Sequence, residues 1–137
     1  MLFRSLKGKI DRGDSVAGVL HLIDYKTGKI TNKKTVFKGD FDKLFTDSDY
    51  SKFLQLLLYI LMKRDRNQPI PTASFYSMRE AGGSYVHAQE LSEGAIDHAF
   101  MDKVEEALAR FLNELLERSS FEHNTKAKYC EYCFMKH

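Results

Sequence analysis

Two aspartates and one lysine are the residues whose types and spacing could do chemistry. An apolar run, Val19-Leu20-His21-Leu22-Ile23, ends in the Asp-x-Lys triplet Asp24-Tyr25-Lys26, and Asp11 stands thirteen residues before Asp24. Side chains alternate along a strand, so Asp24 and Lys26 share one face. If the segments around Asp11 and Asp24 pair as an antiparallel hairpin, the two carboxylates lie side by side. Two acids and an ammonium at one point of a sheet suit a metal ion and a water that attacks a phosphate. Mg²⁺ prefers oxygen ligands and keeps several waters, so two carboxylates suffice when the substrate adds oxygens of its own. The metal lowers the pKa of a bound water, and lysine is a compact cation with three donors. Taken singly, each residue has a plainer reading: Asp24 as a strand end, Lys26 to Gly28 as a hairpin turn, Asp11 and Arg12 as a surface ion pair.

The elements that must position these groups follow from patterning. Residues 2–11 and 17–26 are predicted as two strands, with the Gly- and Asp-rich segment from Arg12 to Gly18 as their connection. A turn at Lys26-Thr27-Gly28-Lys29 precedes a third, polar strand over 30–37, and 39–47 reads as loop or a short helical turn. Ser48 is a candidate cap for a helix to Arg64, with Phe53, Leu56, Leu57, Ile60 and Leu61 at helical spacing. Gln55 and Tyr59 are four apart on that helix, so they share a face and can reach one point on the sheet. Pro69 and Pro71 separate it from a strand over 72–78, and Gly82-Gly83 turns the chain into a further strand over 84–88. A second helix is predicted from Ile96 to Arg118, with Phe100, Val104, Ala107, Leu108, Phe111, Leu115 and Leu116 on its apolar stripe. Met62, Met78 and Met101 read as core filler, and His21 falls on the strand face opposite Asp24. The expected fold class is α/β: one small domain with a mixed central β-sheet flanked by helices.

The chain has 137 residues, 43% of them apolar and 29% charged, enough for one domain with a real core. Its net charge of +2 is uneven. Residues 1–40 hold nine Lys or Arg against four Asp, a net of +5, which leaves −3 for the remainder. A basic half that also carries the carboxylate pair fits a polyanionic substrate, although lysines also protect exposed strand edges. The longest apolar stretch, Phe53 to Met62, is too short to span a membrane. With two cysteines there is no disulfide framework, and Cys130-x-x-Cys133 reads as metal or redox chemistry. A cytoplasmic location is expected.

Taken together, Gly8-Lys9-Ile10-Asp11-Arg12, Ile23-Asp24-Tyr25-Lys26-Thr27-Gly28-Lys29 and Gln55-Leu56-Leu57-Leu58-Tyr59 resemble the nuclease domain of the RecB/AddB kind, within the PD-(D/E)xK superfamily. The resemblance implies a restriction-endonuclease-like core over 1–118 and a cysteine-bearing tail over 119–137. It implies Asp11, Asp24 and the Tyr25 carbonyl as ligands of Mg²⁺ or Mn²⁺, and Lys26 as the group that activates the attacking water. Gln55 and Tyr59 correspond to the helix pair that supports the lysine and contacts DNA. Cys130 and Cys133 match part of a C-terminal [4Fe–4S] motif, whose thiolates come in fours. The activity implied is a metal-dependent DNA exonuclease of repair and recombination, acting on single strands beside a helicase-like domain or subunit, with this chain a C-terminal fragment of a larger protein. A CRISPR-associated RecB-like exonuclease shares these motifs. A catalytically incomplete nuclease-like module that binds DNA or a partner is the non-enzymatic alternative. His123, Cys130, Cys133 and His137 form a possible zinc set.

Overall fold

The computed structural model describes residues 7–30, 35–79 and 82–125. β1 (Arg12–Val16) and β2 (Val19–Lys26) form an antiparallel hairpin, with Arg12 opposite Ile23 and Val16 opposite Val19. An antiparallel hairpin forms as expected, but its first strand is Arg12–Val16 and not the expected 2–11, of which residues 2–6 lie outside the described set. Residues 7–10 lie outside any strand, and the segment expected to connect the strands is itself β1. Pairing along β2 overrides the turn preference of Gly13, Asp14 and Ser15, which is the ordinary fate of weak local propensity in a sheet. The turn shrinks to Ala17 and Gly18, with φ of 50° and 78°. Two consecutive residues at positive φ match the right-handed twist of a two-residue hairpin.

The sheet order is β1-β2-β3-β4, where β3 is Thr72–Ser77 and β4 is Ser84–His87. β2 and β3 run parallel, with Asp24 beside Phe75 and Lys26 beside Ser77, and β4 returns antiparallel to β3. A parallel pair needs a crossover. Here it contains the short helix α1 (Lys43–Thr46) and the longer α2 (Ser51–Lys63). The polar strand expected over 30–37 does not form in the described residues. Phe37 instead makes one isolated parallel bridge to Ser92, and residues 31–34 lie outside the described set. The mixed sheet with flanking helices is the expected architecture.

α2 starts three residues later than expected because Ser48–Tyr50 forms a 3₁₀ turn, capped by the Asp47 carboxylate accepting from the Asp49 N–H. Its apolar side, Phe53, Leu56, Leu57 and Ile60, is buried against Leu22, Ala73 and Phe75 of the sheet. α3 (His98–Glu117) begins where the Asp97 carboxylate accepts the Phe100 N–H at 2.8 Å. Phe100, Met101, Val104 and Ala107 are buried, but Leu115 and Leu116 are exposed, so the apolar stripe outruns the body it packs on. Phe37 is the hub of the aromatic part of the core, with Phe41, Tyr50, Phe53 and Phe100 centroids 5.1–5.9 Å away. Met101 is core, as expected, whereas Met62 and Met78 are exposed. Met62 sits at the end of α2 under Gly8, and Met78 lies just beyond β3.

Candidate active site

Alternation on β2 aims Leu22, Asp24 and Lys26 at α2. His21 takes the other face, where its Nδ1 lies 2.6 Å from the Thr72 hydroxyl. The same i, i+4 logic on α2 aims Gln55 and Tyr59 back at the sheet. The four side chains close a circuit. The Tyr59 hydroxyl donates to Asp24 Oδ1 at 2.8 Å, and Gln55 Nε2 donates to the same oxygen at 3.2 Å and to the Tyr59 oxygen at 2.9 Å. Lys26 Nζ donates to Gln55 Oε1 at 3.3 Å and lies 2.8 Å from Asp24 Oδ2. Only one orientation of the Gln55 amide satisfies both neighbours: its oxygen must face the ammonium and its nitrogen the carboxylate.

Burial is unequal within the circuit. The Asp24 side chain is 6% exposed and the Lys26 side chain 35%. Among the described residues Asp24 Oδ2 has the nearby ammonium but no donor aligned on it. A buried carboxylate normally uses both oxygens in directed hydrogen bonds. Burial, and then donation to Asp24, hold the Tyr59 hydroxyl above its usual pKa, so it stays a donor through neutral pH. Charge on Asp11 acts in the same direction on Tyr59, which puts Asp11 within electrostatic reach of the circuit.

Asp11 lies one residue before β1. Continuing the Arg12–Ile23 register sets it opposite Asp24, and cross-strand partners project to one side. Its Oδ2 accepts the Tyr25 backbone N–H at 3.0 Å, which fastens it to β2. Arg12 pairs with Asp14 at 2.7 Å, not with Asp11, so the plainer reading of Asp11 as half of that surface pair fails. Asp24, Lys26, Gln55 and Tyr59 are therefore gathered from β2 and α2 at one end of the sheet, and Asp11, just before β1, is fastened beside them by the Tyr25 N–H.

The five residues keep the order Asp, Asp-x-Lys, Gln-x-x-x-Tyr on a mixed sheet with helices on it. A family model for the PD-(D/E)XK nuclease superfamily matches residues 2–137. The chain belongs to the PD-(D/E)XK nuclease superfamily. Members of this superfamily are generally nucleases and typically use divalent metals such as Mg²⁺. Comparison with curated proteins and with solved structures finds no match.

The donor set of this PD-(D/E)XK chain fits a hard cation. Among the described residues no three or more His, Cys, Asp or Glu side chains cluster as a metal cage. Two carboxylates, one with a buried oxygen lacking an aligned donor, are the oxygen-only, water-rich set that Mg²⁺ accepts. Sequence reading missed one neighbour: the Phe75 ring centroid lies 5.0 Å from Lys26 Nζ. Nothing in the sequence marks Phe75, because only the β2–β3 register brings it beside Asp24. Cys130 and Cys133, and His137 of the zinc alternative, lie outside the described residues. Among the described residues no helix is long and apolar enough to cross a membrane.

Proposed function

We propose that this chain is a Mg²⁺- or Mn²⁺-dependent deoxyribonuclease domain of the RecB/AddB type, acting on single strands as an exonuclease in DNA repair and recombination. The observation that carries this reading is the buried Asp24 carboxylate, held through one oxygen by Tyr59 and Gln55 while the other faces Lys26 without an aligned donor. Asp11, Asp24 and the Tyr25 carbonyl are the groups that would hold the metal. A divalent cation bound there lowers the pKa of a water and neutralises charge on the phosphate.

The chain's own residues do the rest. Tyr59 and Gln55 fix the Asp24 rotamer by bonding one oxygen, which leaves the other for a ligand. Lys26 Nζ donates one N–H to Gln55 Oε1 and stands 2.8 Å from Asp24 Oδ2 without an N–H aligned on it. The ammonium's remaining donors are left to hold the attacking water or a phosphoryl oxygen and to offset charge as it develops. The Phe75 ring beside that ammonium keeps one side of it dry, which strengthens the remaining interactions.

In this reading residues 1–118 are the catalytic core, and Cys130 and Cys133 supply two of the thiolates of a [4Fe–4S] cluster in the tail. A helicase-like domain or subunit delivers the strand. Purified protein with Mg²⁺ or Mn²⁺ should degrade single-stranded DNA, and Asp24→Asn or Lys26→Ala should abolish the degradation. Wild-type protein that leaves the DNA intact with either metal refutes the reading.

A further inference from the structure

The neighbouring surface carries a second pattern that the catalytic residues do not use. Along α2, Gln55, Tyr59 and Lys63 recur every four residues, so a polar line leaves the site and ends in a cation about 12 Å along the axis. Beside it Leu54, Leu58 and Met62 form a parallel apolar line; the two leucines are half-buried and Met62 is exposed. Residues 7–10 pass over the end of that line. A Cβ on Gly8 would stand 2.9 Å from the Met62 thioether, so the two are in close contact, although that flexible side chain could swing aside.

Two open clefts flank the crossing and share Lys7, Gly8, Lys9 and Met62. One, of about 540 Å³, runs to Gln55 and Tyr59; the other, of about 880 Å³, runs to Asp11 and Lys63. Lys7 and Lys9 line the smaller cleft with no acid among its lining residues. In the larger, Lys7, Lys9, Arg12 and Lys63 face a single acid, Asp11. Arg12 is engaged by Asp14, whereas Lys7, Lys9 and Lys63 make no ion pair among the described residues.

The geometry points to a seat for a single-stranded nucleic acid, with Lys7, Lys9 and Lys63 holding phosphates and Leu54, Leu58 and Met62 supporting bases as the strand leaves the Asp24 site. This assignment rests on the nuclease reading for its direction, but its chemistry is local. Lysines without an ion pair among the described residues, around an apolar floor, match a polymer that offers phosphates and exposed base faces together. A duplex keeps its bases stacked inside and offers this floor only sugar and phosphate.

The test is equilibrium binding of a labelled twelve-nucleotide single strand, and of the same sequence as a duplex, in EDTA so that nothing is cut. Each phosphate contact on a single strand contributes about 0.7 to the slope of log K against log salt. The triple change Lys7→Gln/Lys9→Gln/Lys63→Gln should flatten that slope by about 2, while Lys38→Gln/Lys43→Gln/Lys103→Gln leaves it unchanged. Met62→Asp, at an exposed position, should weaken single-strand binding with little effect on the duplex. Absent single-strand binding, an unchanged slope in the first triple variant, or a duplex bound as tightly as the single strand would each overturn the seat. Metal-dependent cleavage is assayed separately. Cleavage with an unchanged slope removes the seat and spares the nuclease, and a flattened slope without cleavage does the reverse.

Discussion

α2 is tied to its neighbours by two polar clusters, and the two are built on opposite principles. Near its middle, Gln55 and Tyr59 join the helix to β2 through Asp24 and Lys26. Just past its end, Arg64 joins it to α3, donating to the His98 carbonyl, to Asp102 at 2.8 Å and to Glu105 at 2.7 Å. Arg66 adds a two-pronged contact to Asp102. In the second cluster the buried member is the cation, 5% exposed, and its carboxylate partners are 37% and 57% exposed. Every charged group there has a directed partner, while the neighbouring His98 Nδ1 is buried with none among the described residues. In the first cluster the buried member is the acid, and one of its oxygens has no aligned donor. The contrast is between a buried cation with directed bonds to every partner and a buried acid whose second oxygen is held only by an ammonium 2.8 Å away, and under the proposed function that oxygen is the one a cation would take.

The sharpest way to break this comparison is to neutralise the buried acid. Asp24→Asn should lower cleavage by on the order of 10³-fold or more. It should change unfolding free energy by no more than about 1 kcal/mol, because a buried charge is removed and Lys26 can turn to water. Chemical denaturation beside a single-strand cleavage assay reads both quantities. A loss of stability as large as the loss of activity would make the Asp24 circuit structural. Arg64→Met should behave in the opposite sense. It keeps the apolar stem but removes every contact of the guanidinium, so stability should fall by about 1–3 kcal/mol. Activity per folded molecule at low temperature should stay within about twofold of wild type, since no partner of Arg64 belongs to the Asp24 circuit.

Tyr59→Phe is the intermediate case. Gln55 still bonds Asp24 Oδ1 after the change, so the carboxylate loses one of its two donors. Loss of a group that orients a metal ligand costs about 10–100-fold, with a stability loss near 1 kcal/mol. The wild-type hydroxyl also sets an alkaline limit. Its folded pKa is raised above 10.0, so its contribution to stability is complete below that value and is lost as pH rises through the higher folded value. Wild type and Tyr59→Phe should therefore converge in stability on the alkaline side.

How much of this was legible in the sequence depends on the range of the interaction that fixed it. Asp24, Lys26, Gln55 and Tyr59 were readable because alternation and the four-residue helical repeat each place two groups on one face without any tertiary information. The position of β1 was not, since Gly13, Asp14 and Ser15 read as turn and only their pairing with β2 makes them strand. The real turn uses Ala17, which carries no left-handed signal of its own. Phe75 beside Lys26 and Arg64 beside Asp102 depend on contacts that span tens of residues, and local pattern has no access to those. Arg64 reads from sequence only as the end of a helix. Its partners are set by where α3 comes to rest.

The smallest expected effect tests the other cluster through protons alone. Arg66 first and Arg64 second, by hydrogen bonding to Asp102, hold its carboxyl below the ordinary value of 3.8. A depressed folded pKa means that the stabilisation is present above the unfolded value and drains away as pH falls through the folded one. Asp102→Asn should therefore unfold at a lower temperature than wild type at pH 7, with the gap closing as pH drops below 3.8. The gap at pH 7 should also shrink in high salt, because Asp102 and Arg66 stand in solvent. Thermal melts of both proteins from pH 7 to pH 2.5, at low and high salt, read the gap directly. A gap that persists unchanged into acid would mean that Asp102 acts through its shape and not its charge, and the α2–α3 junction would no longer serve as the ionic counterpart of the Asp24 site.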